Sequence, residues 1–157
     1  AKKTRGYFLP GLDHFFEQSP VNIISSANKD GNHEITLYFK DEINKIVEGQ
    51  NYGWPLIEGD DEREGLVTPL LHSGANETWA PSGMTFHKGK LYIAALRGEG
   101  ILVVNSETGE LEDKITGFGR IRDVFSNGEE LYFVSNNLDG RGTAGENDDK
   151  LYQYVDK

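Results

Sequence analysis

One pattern occurs twice in this chain, and it constrains the fold more than any single residue does. Met84-Thr85-Phe86-His87-Lys88-Gly89-Lys90-Leu91-Tyr92-Ile93-Ala94-Ala95 is echoed about forty residues later by Asp123-Val124-Phe125-Ser126-Asn127-Gly128-Glu129-Glu130-Leu131-Tyr132-Phe133-Val134. Each copy reads as strand, turn, strand, with a glycine-containing turn between the two strand segments. Each then runs into another apolar segment, Ile101-Leu102-Val103-Val104 in the first and Leu151-Tyr152-Gln153-Tyr154-Val155 in the second. Units of roughly 40 to 50 residues with four short strands are the blades of β-propellers. Regularly spaced hairpins also suit a β-sandwich, and two copies do not decide between them. At roughly 40 to 45 residues per blade the 157-residue chain supplies three to four blades, whereas closed propellers usually have four to eight. The expected architecture is a single partial all-β propeller domain over residues 1–157, completed by missing blades or by self-association, because open arrays expose apolar terminal faces.

Upstream, Val21–Ser25 and Glu34–Phe39 read as strands joined by the polar loop Asn28–His33, whose Asp-Gly favours a hairpin turn. Glu42–Val47 alternates as a further strand. Leu66–Leu71, interrupted by Pro69, reads as an edge strand. Phe8-Leu9-Pro10-Gly11 marks a turn, and Leu12, Phe15 and Phe16 offer one amphipathic turn. A long polar insertion, Asn137–Asp149, precedes the last strand.

Arg120 and Arg122 occupy alternate residues of a predicted strand spanning Gly119–Val124, and residues two apart on a strand share a face. Two guanidinium forks on one face suit carboxylates or phosphates held by two-point contact. The competing reading pairs one arginine with Asp123 or another nearby acid and leaves the other in solvent.

Charge narrows the partners. A net charge of −10 and a pI near 4.8 speak against nucleic acid, which needs a basic footprint. The chain has no cysteine, which removes disulfides, thiolate catalysis and zinc-thiolate sites. No apolar run approaches the roughly 18 residues of a membrane span, and Ala1–Tyr7 lacks a signal-peptide apolar core, so the chain reads as soluble.

Four motifs in order carry a resemblance. Asp41-Glu42-Ile43-Asn44-Lys45-Ile46-Val47-Glu48-Gly49-Gln50-Asn51-Tyr52-Gly53-Trp54-Pro55, Ala80-Pro81-Ser82-Gly83-Met84, Leu91-Tyr92-Ile93-Ala94-Ala95-Leu96-Arg97 and Arg120-Ile121-Arg122-Asp123-Val124 make residues 41–136 resemble the soluble quinoprotein sugar dehydrogenases, which include the glucose/sorbosone dehydrogenase family. The resemblance implies a six-bladed propeller that binds pyrroloquinoline quinone (PQQ) on its axis with calcium, oxidises an aldose to a lactone, and works in the periplasm or outside the cell. It also implies cofactor contacts at Arg97, Arg120, Arg122 and Thr78, the arginine at 97 standing where many members have lysine. Asn136 stands where relatives often carry aspartate.

Departures accompany these matches. Relatives place a Gly-Pro pair, whose carbonyls hold calcium, shortly before Asp-Glu-Ile-Asn; here Tyr38-Phe39-Lys40 precedes Asp41. The family's catalytic histidine lies in an N-terminal half that this sequence does not contain, so no catalytic residue is assigned and the chain is expected to be inactive alone. His14, His33, His72 and His87 read as surface or structural, with no carboxylate at a recognisable spacing to orient them. Asp60-Asp61-Glu62 and Glu146-Asn147-Asp148-Asp149 read as solvated loops. Tyr52, Trp54 and Trp79 read as core rings rather than as a sugar platform. Two alternatives stand beside the dehydrogenase: a non-catalytic propeller-type binding module, and a metal-dependent lactonase-like hydrolase.

Overall fold

Apolar alternation and turn residues become strands wherever a neighbour supplies the missing hydrogen bonds, and among the described residues of this computed structural model they build only antiparallel β-sheet, with no helix. The structure describes the strands within residues 14–38 by their backbone, and residues 40–155 in full. In chain order the strands are β1 (His14–Gln18), β2 (Asn22–Ala27), β3 (His33–Tyr38), β4 (Glu42–Ile46), β5 (Leu71–His72), β6 (Pro81–His87), β7 (Lys90–Ala95), β8 (Gly100–Asn105), β9 (Leu111–Thr116), β10 (Ile121–Ser126), β11 (Leu131–Ser135) and β12 (Leu151–Tyr154). They fall into two compact units, residues 1–75 and 76–157.

In the first unit β2 and β3 form the expected hairpin, Asn22 opposite Tyr38 and Ala27 opposite His33. Its connecting loop lies outside the described residues, as does the turn expected at Phe8–Gly11. A second sheet runs β1-β4-β5. Phe15 and Phe16 therefore stand in a strand opposite Lys45 and Asn44, not in the helical turn that local pattern suggests. Pairing with the alternating β4 outweighs a weak local preference. The expected edge strand shrinks to Leu71–His72, beyond Pro69, which has no N–H to give a ladder. Ile43, Tyr52 and Ile57 are the buried apolar side chains described here. The Tyr52 hydroxyl is satisfied, donating to Lys45 O (2.6 Å) and accepting from Val47 N (2.7 Å). Glu42 is buried and accepts the Gly59 N–H at 2.8 Å. The Asn44 amide is fully buried without a hydrogen-bond partner among the described residues.

The second unit holds both copies of the repeat. The first is a four-stranded up-and-down sheet, β6-β7-β8-β9, and the second a three-stranded one, β10-β11-β12. Their first strands share an irregularity: the register slips between Pro81 and Met84 in β6, and between Ile121 and Asp123 in β10. The sheets stack through Tyr92, Ala94, Ile101 and Val103 on one side and Val124, Leu131 and Phe133 on the other. Phe118, Phe133 and Tyr152 form a three-ring cluster, Phe133 lying 5.0 Å from Phe118 edge to face and 4.9 Å from Tyr152 stacked. The first strands lie side by side and run in the same direction, since Ser82 Oγ donates to Ile121 O (3.0 Å) and His87 Nδ1 meets Ser126 Oγ (2.7 Å). No side chain fits between them at residue 83, where a Cβ would come within 2.9 Å of Asp123 Cα.

Strand β9 carries no visible sequence signal. Its residues Leu111-Glu112-Asp113-Lys114-Ile115-Thr116 are mostly exposed, so burial imposes little alternation on them.

Candidate functional site

The strand ends define a single place. Thr78, Trp79 and Ala80 lead into β6, and Leu96 and Arg97 leave β7; Arg120 leads into β10, and Asn136 leaves β11. Backbone bonds tie each entry to its exit: Leu96 N to Ala80 O (3.0 Å), Arg97 N to Trp79 O (2.9 Å) and Asn136 N to Arg120 O (2.7 Å). Arg120 Nη1 then donates across the two sheets to Leu96 O at 3.2 Å. Thr78, Arg97, Arg120, Arg122 and Asn136 thus lie toward the same end of the 76–157 unit.

The two arginines of the Arg-x-Arg motif differ there. Arg120 is 5% exposed, and Arg122 is exposed. Strand β10 begins only at Ile121, and its bulge breaks the alternation that puts both side chains on one face. Arg120 Nη2 pairs with Asp139 Oδ2 at 2.9 Å, so one arginine meets an acid while the other faces solvent, as the competing sequence reading had it. The acid, however, comes from the polar insertion and not from Asp123. Arg120 Nε is enclosed and has no hydrogen-bond partner among the described residues.

The insertion is an organised loop built on Asn137. The Asn137 amide accepts from Arg120 N (2.8 Å) and donates to Phe118 O (3.1 Å) and Asp148 Oδ2 (3.1 Å). Asp149 accepts the Asn137 N–H, and Asp148 accepts Gly145 N–H at 2.6 Å. The acidic run is therefore not merely solvated, because its aspartates satisfy backbone donors that a turn leaves unpaired. Asp139 accepts from Arg141 N through Oδ1 (2.9 Å) and from Asn136 Nδ2 through Oδ2 (2.8 Å). Neither Asn137 nor Asp139 stands out in the sequence; the available signal was a turn-rich Asn-Asn-Leu-Asp-Gly following a strand.

The Arg141 N–H and then the Arg120 guanidinium hold the Asp139 carboxyl below the ordinary aspartate range; the Gly145 N–H and then the Asn137 amide do the same for Asp148. A depressed native value gives stability that is present above the unfolded value and lost as pH falls through the native one. The melting midpoint is expected to hold from neutrality to about pH 5 and to fall below about pH 4. The Asp139→Asn/Asp148→Asn double variant should lose less over that window. An equal acid loss in parent and variant, measured by circular dichroism melts, counts against these two carboxylates as its source.

The remaining candidates have structural employment. His72 does have a carboxylate neighbour, contrary to expectation: Nε2 lies 2.9 Å from Asp60 Oδ1, while Nδ1 accepts Gly74 N–H at 3.1 Å. Both ring nitrogens are taken, which leaves no lone pair for a general base. His87 is buried against Ser126 and edge-on to Tyr92. The side chains of His14 and His33 lie outside the described residues. Trp79 is buried with Nε1 on Glu77, whereas Trp54 is 40% exposed. Among the described residues, no cluster of three or more His, Asp or Glu side chains is arranged to hold a metal. Lys40, which stands just before Asp41, sends its Nζ to Glu58 O (3.2 Å).

Stacked up-and-down antiparallel sheets of this kind are blades of a β-propeller, the fold of the quinoprotein sugar dehydrogenases. The chain belongs to the glucose/sorbosone dehydrogenase family, whose family model matches residues 27–144. Among solved structures it is similar to an oxidoreductase described as a glucose dehydrogenase from Thermus thermophilus, at 34% identity and TM-score 0.61, over 71% of this chain and 35% of that one. It is also similar to the PQQ-bound aldose sugar dehydrogenase of Streptomyces coelicolor, at 28% identity and TM-score 0.62, over 80% of this chain and 40% of that one. The chain thus spans less than half the length of either protein. No functionally curated protein matches it.

Proposed function

We propose that this chain is the C-terminal portion of a PQQ-dependent sugar dehydrogenase, a partial propeller in which Arg97, Arg120, Arg122, Thr78 and Asn136 form one side of the cofactor cradle. The carrying observation is the enclosed Arg120 guanidinium, which bridges two blade ends through Leu96 O and keeps an Nε–H without an acceptor among the described residues. A buried donor left unpaired costs about 1–3 kcal/mol, a cost that an anionic oxygen reaching Nε–H through a local shift of the loop would relieve. Arg122 supplies an exposed fork at the same end, and PQQ is a tricarboxylate. When bound, PQQ supplies the acceptor for the two electrons lost as an aldose anomeric hydroxyl becomes a lactone carbonyl. The chain's own residues bind and orient the cofactor. Proton removal falls to a base supplied by missing blades or by a second chain, so the chain alone is expected to be inactive.

A second reading, a non-catalytic binding module, draws on a specific observation as well: Asp139 neutralises Arg120 and occupies the Asn136 amide. Titration of the purified chain with PQQ, with and without calcium and followed by quinone absorbance, separates the two. Saturable binding is expected, and Arg122→Gln, an exposed change, should weaken it about tenfold or more while leaving the melt unchanged. A folded chain that shows no binding in either buffer favours the binding module.

A further inference from the structure

We propose that Asp139 is a positioning residue for the cofactor site, acting through Arg120; the inference rests on the PQQ reading above. An arginine side chain gives up about 2 kcal/mol of rotamer entropy when fixed, and a fork that is fixed beforehand binds an anion without that cost. Everything around Arg120 fixes it. Nη1 is held by Leu96 O and Nη2 by Asp139. Asp139 is itself held by two further donors, the Arg141 N–H and the Asn136 amide. The same loop closes on the aliphatic stem, for a Cβ at Gly142 would come within 2.6 Å of Arg120 Cδ. Of the five guanidinium N–H donors these bonds take two, and Nε–H is among those left over.

Asp139 contributes order and not attraction. Its negative charge offsets the guanidinium and by itself repels a tricarboxylate, so a purely electrostatic role would weaken cofactor binding. Asn136 also changes meaning: its amide steadies Asp139, a task that an aspartate at 136 would perform poorly beside a second carboxylate.

The opposing effects separate in two variants of the 157-residue chain, titrated with PQQ. Asp139→Ala removes charge and both acceptors together, whereas Asp139→Asn removes the charge but keeps one acceptor oxygen, which can stay on Arg120 and Asn136 while the Arg141 N–H bond is given up. Positioning predicts about tenfold weaker binding for Asp139→Ala, with Asp139→Asn restored to near the parent affinity. Equal or tighter binding by a folded Asp139→Ala chain overturns the proposal. A lowered melt at unchanged affinity also overturns it, assigning Asp139 a purely structural role. Solvent exchange of the Arg120 Nε–H, read by NMR without cofactor, supplies a second arm. It should speed up at least tenfold in Asp139→Ala and stay near the parent rate in Asp139→Asn; an unchanged rate in both overturns the proposal. If the parent chain itself fails to bind PQQ, the site reading falls, and this exchange arm still decides whether Asp139 holds Arg120.

Discussion

Phe133→Ala is expected to lower the stability of the 76–157 unit by about 3–5 kcal/mol. Phe133 is 1% exposed and lies between Phe118 and Tyr152, which also touch each other at 4.8 Å. Truncation removes both ring contacts and opens a cavity where the two sheets meet, and neither sheet can close on it without giving up strand pairing. A domain of this size has a total stability of order 4–12 kcal/mol, so one ring is a large share of it. The melting midpoint should drop by at least about 12 °C. A urea titration that shows less than about 1 kcal/mol of loss would mean that the three rings do not pack as a unit.

Gly119→Ala should cost about 3 kcal/mol, and Gly117→Ala about 1 kcal/mol, although both glycines have positive φ, 72° and 94°. A Cβ at Gly117 meets nothing within 4 Å, so that variant carries backbone strain alone. At Gly119 the Cβ would come within 2.3 Å of Asn137 Oδ1. The displaced amide loses the Arg120 N–H and the bonds to Phe118 O and Asp148. The difference between the two melts isolates the Asn137 hub, and equal losses would show that the loop does not depend on it.

The blade pattern was legible because each repeat sets apolar strands on either side of a turn at a fixed place. Leu131 and Phe133 alternate with half-buried neighbours, whereas Leu91–Ala95 is buried on both faces and reads as a continuous apolar run. Strand β1 was not legible: its partner β4 lies beyond the β2–β3 hairpin, and long-range pairing leaves no local mark. The Pro-Ser-Gly-Met motif was recognisable as a motif, but its reason, the close approach of β6 to β10, exists only in the folded chain. The site was half legible. Arginines could be placed at the strand ends by resemblance, whereas the unequal burial of Arg120 and Arg122 depends on a bulge that spacing cannot reveal. Asp139 and Asn137 were hidden in a polar stretch whose composition looks the same whether it caps backbone donors or drifts in water.

The stacked faces of the two sheets are greasy and directionless, and such faces alone would let one sheet glide over the other. The Ser82 and His87 bonds from β6 to β10 act as two pins set five residues apart. A slip by one residue breaks both at once. The distance between the Arg97 and Arg120 ends is therefore inherited from strand register and not from the loops that carry them.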